Sequence, residues 1–193
     1  MRRSFLLAAL LCTAGVAQAQ SISNPGPASF WLQIAANAQV GQSFTAVSSA
    51  ITTIGFSFDG FNFTAGSAPV TVSLRHGNGV DGAVIAERSI LPSSEPSFSA
   101  NILSFADFTG TSLTVGSVYT AVLSTTTAFW GVYVAPDGYA GGTAFVLGNA
   151  QPTDDLVFQV NSATVPEPFG GALLAIGVGA LFVARRRRSH TAA

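Results

Sequence analysis

The sequence predicts an all-β protein: a single antiparallel β-sandwich, jelly-roll-like, set between an N-terminal signal peptide and one C-terminal transmembrane helix. Three observations predict it. Short runs through the middle of the chain alternate apolar and polar residues with period two, the pattern of half-buried strands. Clusters of Gly, Pro, Asn and Asp interrupt those runs, and no stretch between them combines a helical period with helix length and freedom from glycine. The two ends are apolar with basic flanks.

At the N-terminus, Met1-Arg2-Arg3 is followed by an apolar run over 5–11 and by Ala17-Gln18-Ala19. A basic start, an apolar core and an A-x-A site define a secretory signal peptide over 1–19, with cleavage between Ala19 and Gln20. Cys12 follows Leu11 rather than the small residue that lipoprotein cleavage requires, so it is a passenger of the apolar run.

Residues 20–164 are the extracytoplasmic domain. Residues 21–27, with Asn24-Pro25-Gly26-Pro27, read as an extended leader. Phe30, Leu32 and Ile34 alternate with Trp31, Gln33 and Ala35, and 42–46 forms a second strand. Ile54, Phe56 and Phe58 alternate with Gly55, Ser57 and Asp59. Gly60 breaks that run and 61–63 resumes it. Val70, Val72 and Leu74 alternate with Thr71, Ser73 and Arg75. The glycines of 77–82 make a loop, 83–90 a strand and 91–96 a loop. A strand follows over 98–108, with Leu103 and Phe105 on one face, then a turn over 110–116 and a β-branched strand over 118–123. Residues 128–135 alternate Phe129, Gly131 and Tyr133 with Trp130, Val132 and Val134. A glycine-rich loop covers 136–142, a short strand 144–147, and a closing strand 155–160 presents Leu156, Phe158 and Val160 on one face. Eight or nine short strands with turns between them, and no internal repeat, point to a sandwich rather than a propeller or solenoid.

Residues 165–193 form a tail with its own logic. Pro166-Glu167-Pro168 precedes an uncharged apolar segment over 169–184, which Arg185, Arg186, Arg187 and Arg188 follow. As a helix the segment would span ~24 Å, against ~30 Å of hydrocarbon, and arginines that snorkel supply part of the difference. Basic flanks resist translocation, so the four arginines are expected in the cytoplasm as an anchor, with the domain outside it. The order of tripeptide, apolar helix and arginine cluster resembles the PEP-CTERM sorting signal of exported bacterial proteins. The resemblance implies that an exosortase-like membrane peptidase recognises Pro166, Glu167 and Pro168 and processes the chain near them. An ordinary membrane anchor needs no motif before its helix.

The domain is acidic. Arg75 and Arg88 are its only cations, against Asp59, Asp81, Glu87, Glu95, Asp107, Asp137, Asp154 and Asp155, a net charge of −6. This argues against nucleic acid and other polyanions as partners. The chain's one cysteine leaves with the signal peptide, so packing alone must hold the mature domain.

The chemistry-bearing residues are sparse. His76 is the domain's one histidine, and no Gly-x-Ser-x-Gly elbow presents a serine to it. The several His or Cys ligands of a zinc site are missing, and no resident metal or cofactor is expected. Calcium is an option if oxygen ligands from Asp59, Asn78 or Asp81 converge when the 77–82 loop folds over a sheet edge. Two of Glu87, Glu95, Asp107, Asp137, Asp154 and Asp155 would have to pair for glycoside hydrolysis, and nothing in their spacing pairs them. Sugars stack their C–H faces on exposed aromatic rings. Trp31, Trp130, Tyr133 and Tyr139 are therefore candidate sugar-binding residues, with Asp137 and Asn149 as hydroxyl partners. Trp130 and Tyr133 fall on opposite faces of one strand, which assigns at least one of them to the core. Tyr139, in the glycine-rich loop, is the leading candidate for exposure.

The strings 42–46, 72–74, 118–123 and 155–158 also loosely resemble the secreted choice-of-anchor β domains, which implies a sandwich fold and a surface address. The expected function is that of an exported surface protein with a structural or adhesive role in the envelope or exopolysaccharide matrix, not an enzyme. The link to exopolysaccharide comes from the resemblance. A carbohydrate-binding module is the first alternative and a secreted hydrolase the second.

Overall fold

Period-two alternation puts every second side chain of a strand on one face, so two such sheets bury their apolar faces by stacking. The computed structural model describes residues 19–60, 68–92 and 103–163. Among them the chain forms thirteen strands. They are β1 Ser21–Asn24, β2 Phe30–Gln33, β3 Val40–Thr45, β4 Ala50–Gly60, β5 Val70–His76, β6 Val84–Ile90 and β7 Leu103–Ser112. The series continues with β8 Val118–Thr125, β9 Trp130–Pro136, β10 Ala144–Val146, β11 Asn149–Gln151, β12 Asp154–Leu156 and β13 Phe158–Ser162. Every pairing is antiparallel and there are two sheets, the arrangement of a β-sandwich.

The pairings are nested. β5 pairs β6, β4 pairs β7, β3 pairs β8 and β2 pairs β9, so the middle of the chain is one long hairpin with its innermost turn between β5 and β6. That ribbon folds across itself where β4 pairs β9 and β5 pairs β8. The result is β2-β9-β4-β7 in one sheet and β3-β8-β5-β6 in the other, with β1, β12 and β13 added to the first and β10 and β11 to the second.

One core lies between the sheets. Ile54, Phe56, Trp130, Val132, Val134, Leu156 and Phe158 of the first sheet meet Val40, Phe44, Val72, Leu74, Tyr119 and Leu123 of the second. Each large apolar side chain buried there contributes about 1.5–3 kcal/mol.

The structure departs from the sequence reading at four places. Residues 21–24 are no leader but β1, paired to β13 from Ser21↔Asn161 to Asn24↔Phe158. The strand expected over 98–108 continues past Gly110 to Ser112. The glycine, at φ 87°, sits where the register against β4 shifts, so it forms a bulge and the strand continues. The closing strand is two strands. β4 and β9 pair at Phe58↔Val132 and then diverge, and Val157 wedges between them. Its N–H donates to the Tyr133 carbonyl at 2.9 Å, and its carbonyl accepts from the Ser57 N–H at 3.0 Å. β12 runs along β9 into this fork and β13 leaves it along β4. The fourth departure is β11, which pairs with β10 through the two-residue turn Leu147-Gly148.

Ala19 and Gln20, the expected cleavage pair, are exposed, and the Gln20 carbonyl accepts from the Ser162 N–H at 3.0 Å. Cleavage between them would leave that bond intact. Residues 1–18, the strand expected over 61–63, the region 93–102 with Glu95, and the tail from 164 onward lie outside the described residues. Among the described residues no helix is long and apolar enough to cross a membrane.

Leu147 and Gly148 have φ of 52° and 76°, the two positive values of a type I′ turn. Asn-Gly suits that turn, and a leucine held left-handed costs about 1–2 kcal/mol. Leu147→Asn is therefore expected to raise the melting temperature by a few degrees in a calorimetric scan, roughly 2–4 °C per kcal/mol for a domain of this size.

Candidate functional site

The four aromatic residues offered for sugar binding divide. Trp130 is 2 % exposed in the core, its Nε1–H donating to the Ala68 carbonyl at 2.8 Å and its ring edge-on to Phe58. Tyr139 is no exposed platform either. It is half-buried, edge-on to Phe158 with centroids 5.6 Å apart, and its hydroxyl accepts from the Thr45 N–H at 3.1 Å. The glycines around Tyr139 let the loop lie close, and a Cβ at Gly141 would strike the tyrosine ring. Tyr139 thus latches the 136–142 loop onto the sandwich.

Tyr133 points to the opposite face from Trp130 and is also buried, with Ala135 and Val157. Among the described residues its hydroxyl has no hydrogen-bond partner of good geometry. Burial, followed by the charge and proximity of Asp59, pushes its pKa up. Trp31, 38 % exposed, lies directly across from Tyr133 in the β2–β9 pairing. Of the four, only Trp31 and Tyr133 come together on the outer face of the first sheet.

Among the described residues the most buried acid is Asp155, wholly inaccessible to solvent. Its Oδ1 accepts from Gln42 Nε2 at 2.6 Å, and its Oδ2 accepts from the N–H groups of Gly138 at 3.3 Å and Tyr139 at 2.9 Å. Gln42 Oε1 in turn accepts from the Leu156 N–H at 2.7 Å. Burial pushes the Asp155 pKa up, the three donors pull it back, and the charge of Asp137 adds to the rise. Gln42 is a clasp: it sits between Val40 and Phe44 on the inner face of β3 and reaches β12 in the other sheet. The remaining carboxylates are dispersed. Glu87 accepts from Ser73 Oγ at 2.6 Å, Asp107 from the Thr109 N–H at 2.8 Å, and Asp154 from Thr153 Oγ1 at 3.2 Å.

The calcium set does not assemble. Asp59 lies beside Tyr133 in the first sheet, whereas Asn78 and Asp81 stand at the end of β5 in the second. Among the described residues, no three His, Cys, Asp or Glu side chains converge on a common point.

Asn78 and Asp81 instead meet Asn149 across a groove of about 450 Å³ between the 77–82 turn and the β10–β11 hairpin. Phe145 and Val80, packed on Val122, form an apolar floor on the outer face of the second sheet. The turn is tied down at both ends. Gly77 N–H donates to the Val118 carbonyl at 2.9 Å, Thr120 Oγ1 donates to the Gly77 carbonyl at 2.7 Å and accepts from the Gly79 N–H at 3.0 Å. A Cβ at Gly82 would collide with the His76 carbonyl, so glycine is what lets the turn close. Gln39 joins the two walls: its carbonyl accepts from the Gly148 N–H at 3.2 Å and its Nε2 donates to Asp81 Oδ1 at 3.4 Å. The sequence reading named Asn78, Asp81 and Asn149 for separate reasons and missed Phe145 in the floor and the Gln39 bridge. The Leu147-Gly148 turn pair was the only local signal for the second wall. Asp137, the other proposed hydroxyl partner, stands with Asp155 and not in this groove.

The chain matches no protein-family model and no curated protein.

Asp155→Ala would remove the acceptor of the Gly138 and Tyr139 N–H groups and one of the two acceptors of Gln42 Nε2. It should cost about 2–4 kcal/mol, read as a fall in the denaturation midpoint. The raised pKa sets the pH dependence. The folded state holds the Asp155 proton more tightly than the unfolded chain does, so its contribution is fullest below the unfolded pKa and is lost as pH rises through the folded value. The stability gap between wild type and Asp155→Ala should therefore narrow as pH rises from the acid side, measured by urea denaturation across a pH series.

Proposed function

We propose that the chain is an exported bacterial surface protein: a jelly-roll β-sandwich delivered by a signal peptide over 1–19 and sorted by a PEP-CTERM-like tail over 165–193. Its role is structural or adhesive, in the envelope or an exopolysaccharide matrix. The observation that carries this reading is the order Pro166-Glu167-Pro168, apolar 169–184 and Arg185 to Arg188. Each part has a physical task there: a rigid, non-helical recognition site, a span of hydrocarbon and a charged stop. An exosortase-like membrane peptidase is the partner this assigns. The nested pairing of β2 to β9 supports the jelly-roll reading, since such a roll is a long ribbon folded into two sheets.

A second reading, a carbohydrate-binding module, is favoured by the polar walls and apolar floor of the groove and by the partly exposed Trp31. Contact with glycan is compatible with an adhesive role.

The test is the intact mass and location of the mature protein in a host that encodes exosortase and in a deletion of that enzyme. Loss of 1–19 and of the segment after the tripeptide is expected only when the enzyme is present. Replacing Pro166, Glu167 and Pro168 by alanine should strand the precursor in the inner membrane. Unchanged processing of that variant would overturn the sorting proposal.

A further inference from the structure

We propose that the groove between the 77–82 turn and the β10–β11 hairpin is a saccharide site, and that it takes a neutral sugar unit. The inference rests on the reading of the domain as a surface module that contacts glycan, and it names the place and the class of ligand.

A pyranose is amphipathic: hydroxyls project around its edge and C–H groups form its faces. The groove has the matching chemistry. Asn78, Asp81 and Asn149 line it with amides and a carboxylate, which donate to and accept from vicinal hydroxyls in one plane. Asn78 makes no side-chain hydrogen bond to a described residue, and Asn149 donates only to the neighbouring Leu147 carbonyl, at 3.1 Å. Phe145 and Val80 supply an apolar floor. A volume of about 450 Å³ falls within the usual range for small-ligand sites.

Charge decides the class. Asp81 is the one carboxylate in the lining, too few for a tight divalent-cation site. No arginine lines the groove, and Arg75 at its back turns to the Gly82 carbonyl at 3.4 Å. His76 is the one basic side chain in the lining, and a uronic acid or a phosphorylated sugar would meet Asp81 with no lysine or arginine to offset it.

The walls are also held in place before any ligand arrives. Gln39 bridges them, and both Gln39 and Leu147 are non-glycine residues at positive φ, 71° and 52°. Such conformations are costly and persist where surrounding structure enforces them. A site with preset walls loses less freedom on binding.

The experiment uses the full chain in a detergent without a sugar headgroup. The probes are glucose, galactose, mannose, N-acetylglucosamine and their β-linked disaccharides, with polygalacturonate and Ca²⁺ as charged comparisons. Binding is followed by saturation-transfer NMR and calorimetry. The proposal expects at least one neutral sugar to bind saturably. Asp81→Ala and Asn149→Ala, both exposed positions, should weaken it at least tenfold with the melting temperature unchanged, and Trp31→Ala should leave it intact. Neutral-sugar binding that survives both groove substitutions but falls in Trp31→Ala would overturn the groove and keep the glycan reading. Binding of polygalacturonate or Ca²⁺ alone would overturn the neutral class. No binding by any probe would overturn the groove and the glycan reading together, while tail processing is judged by its own test.

Discussion

Gln42 is the residue through which the two sheets are held in one alignment. A glutamine on the inner face of a core strand is costly unless each of its polar atoms is paired. Here Oε1 takes the Leu156 N–H, while Nε2 serves both Asp155 Oδ1 and the Ser43 carbonyl at 3.1 Å. Asp155 passes the connection on to the Gly138 and Tyr139 amides. One side chain therefore couples β3, β12 and the 136–142 loop, two residues from the fork at Val157. Apolar stacking alone tolerates sliding of one sheet on the other, but a hydrogen-bonded clasp of this kind has one geometry. Residues 19–163 contain no cysteine, and this clasp supplies a directional link between the sheets where a disulfide within them is unavailable.

The nested ribbon explains where the groove lies. The innermost turn of the ribbon, between β5 and β6, lies at one end of the second sheet. The same sheet is extended past β3 by the β10–β11 hairpin. Turn and hairpin are far apart in sequence, and Gln39, just before β3, bonds to both. The groove is thus a consequence of how the accessory hairpin continues the sheet. Its floor is an outward-facing apolar patch, Val80, Val122 and Phe145, that the same two elements flank.

The outer face of the first sheet follows a different rule. Tyr133, Ala135 and Val157 are buried there although they point away from the main core. A fork in the sheet brings a third chain segment between β4 and β9, and its side chains pack against that outer face. Period-two reasoning assigns one face of such a strand to the core and the other to solvent, and at Tyr133 the fork covers the second face as well. Trp130, with its indole N–H satisfied, takes the core side of the pair, and Tyr139 departs from the expected exposure because a glycine-rich loop can fold inward as readily as outward.

The sequence by itself determined the class of fold, the inward set of residues on β4 and β5, and the loop at 77–82. All of these follow from period two and from glycine, which act within a few residues of chain. Tertiary structure alone decided the partners. The split of the last strand at Val157, the pairing of β1 with β13, the Gln42–Asp155 clasp and the meeting of Asn78 and Asp81 with Asn149 each join positions distant in sequence. Alternation along a strand records which face a residue takes. It carries no record of which strand lies alongside, because backbone hydrogen bonding is the same for every neighbour and only packing of the whole core selects among them.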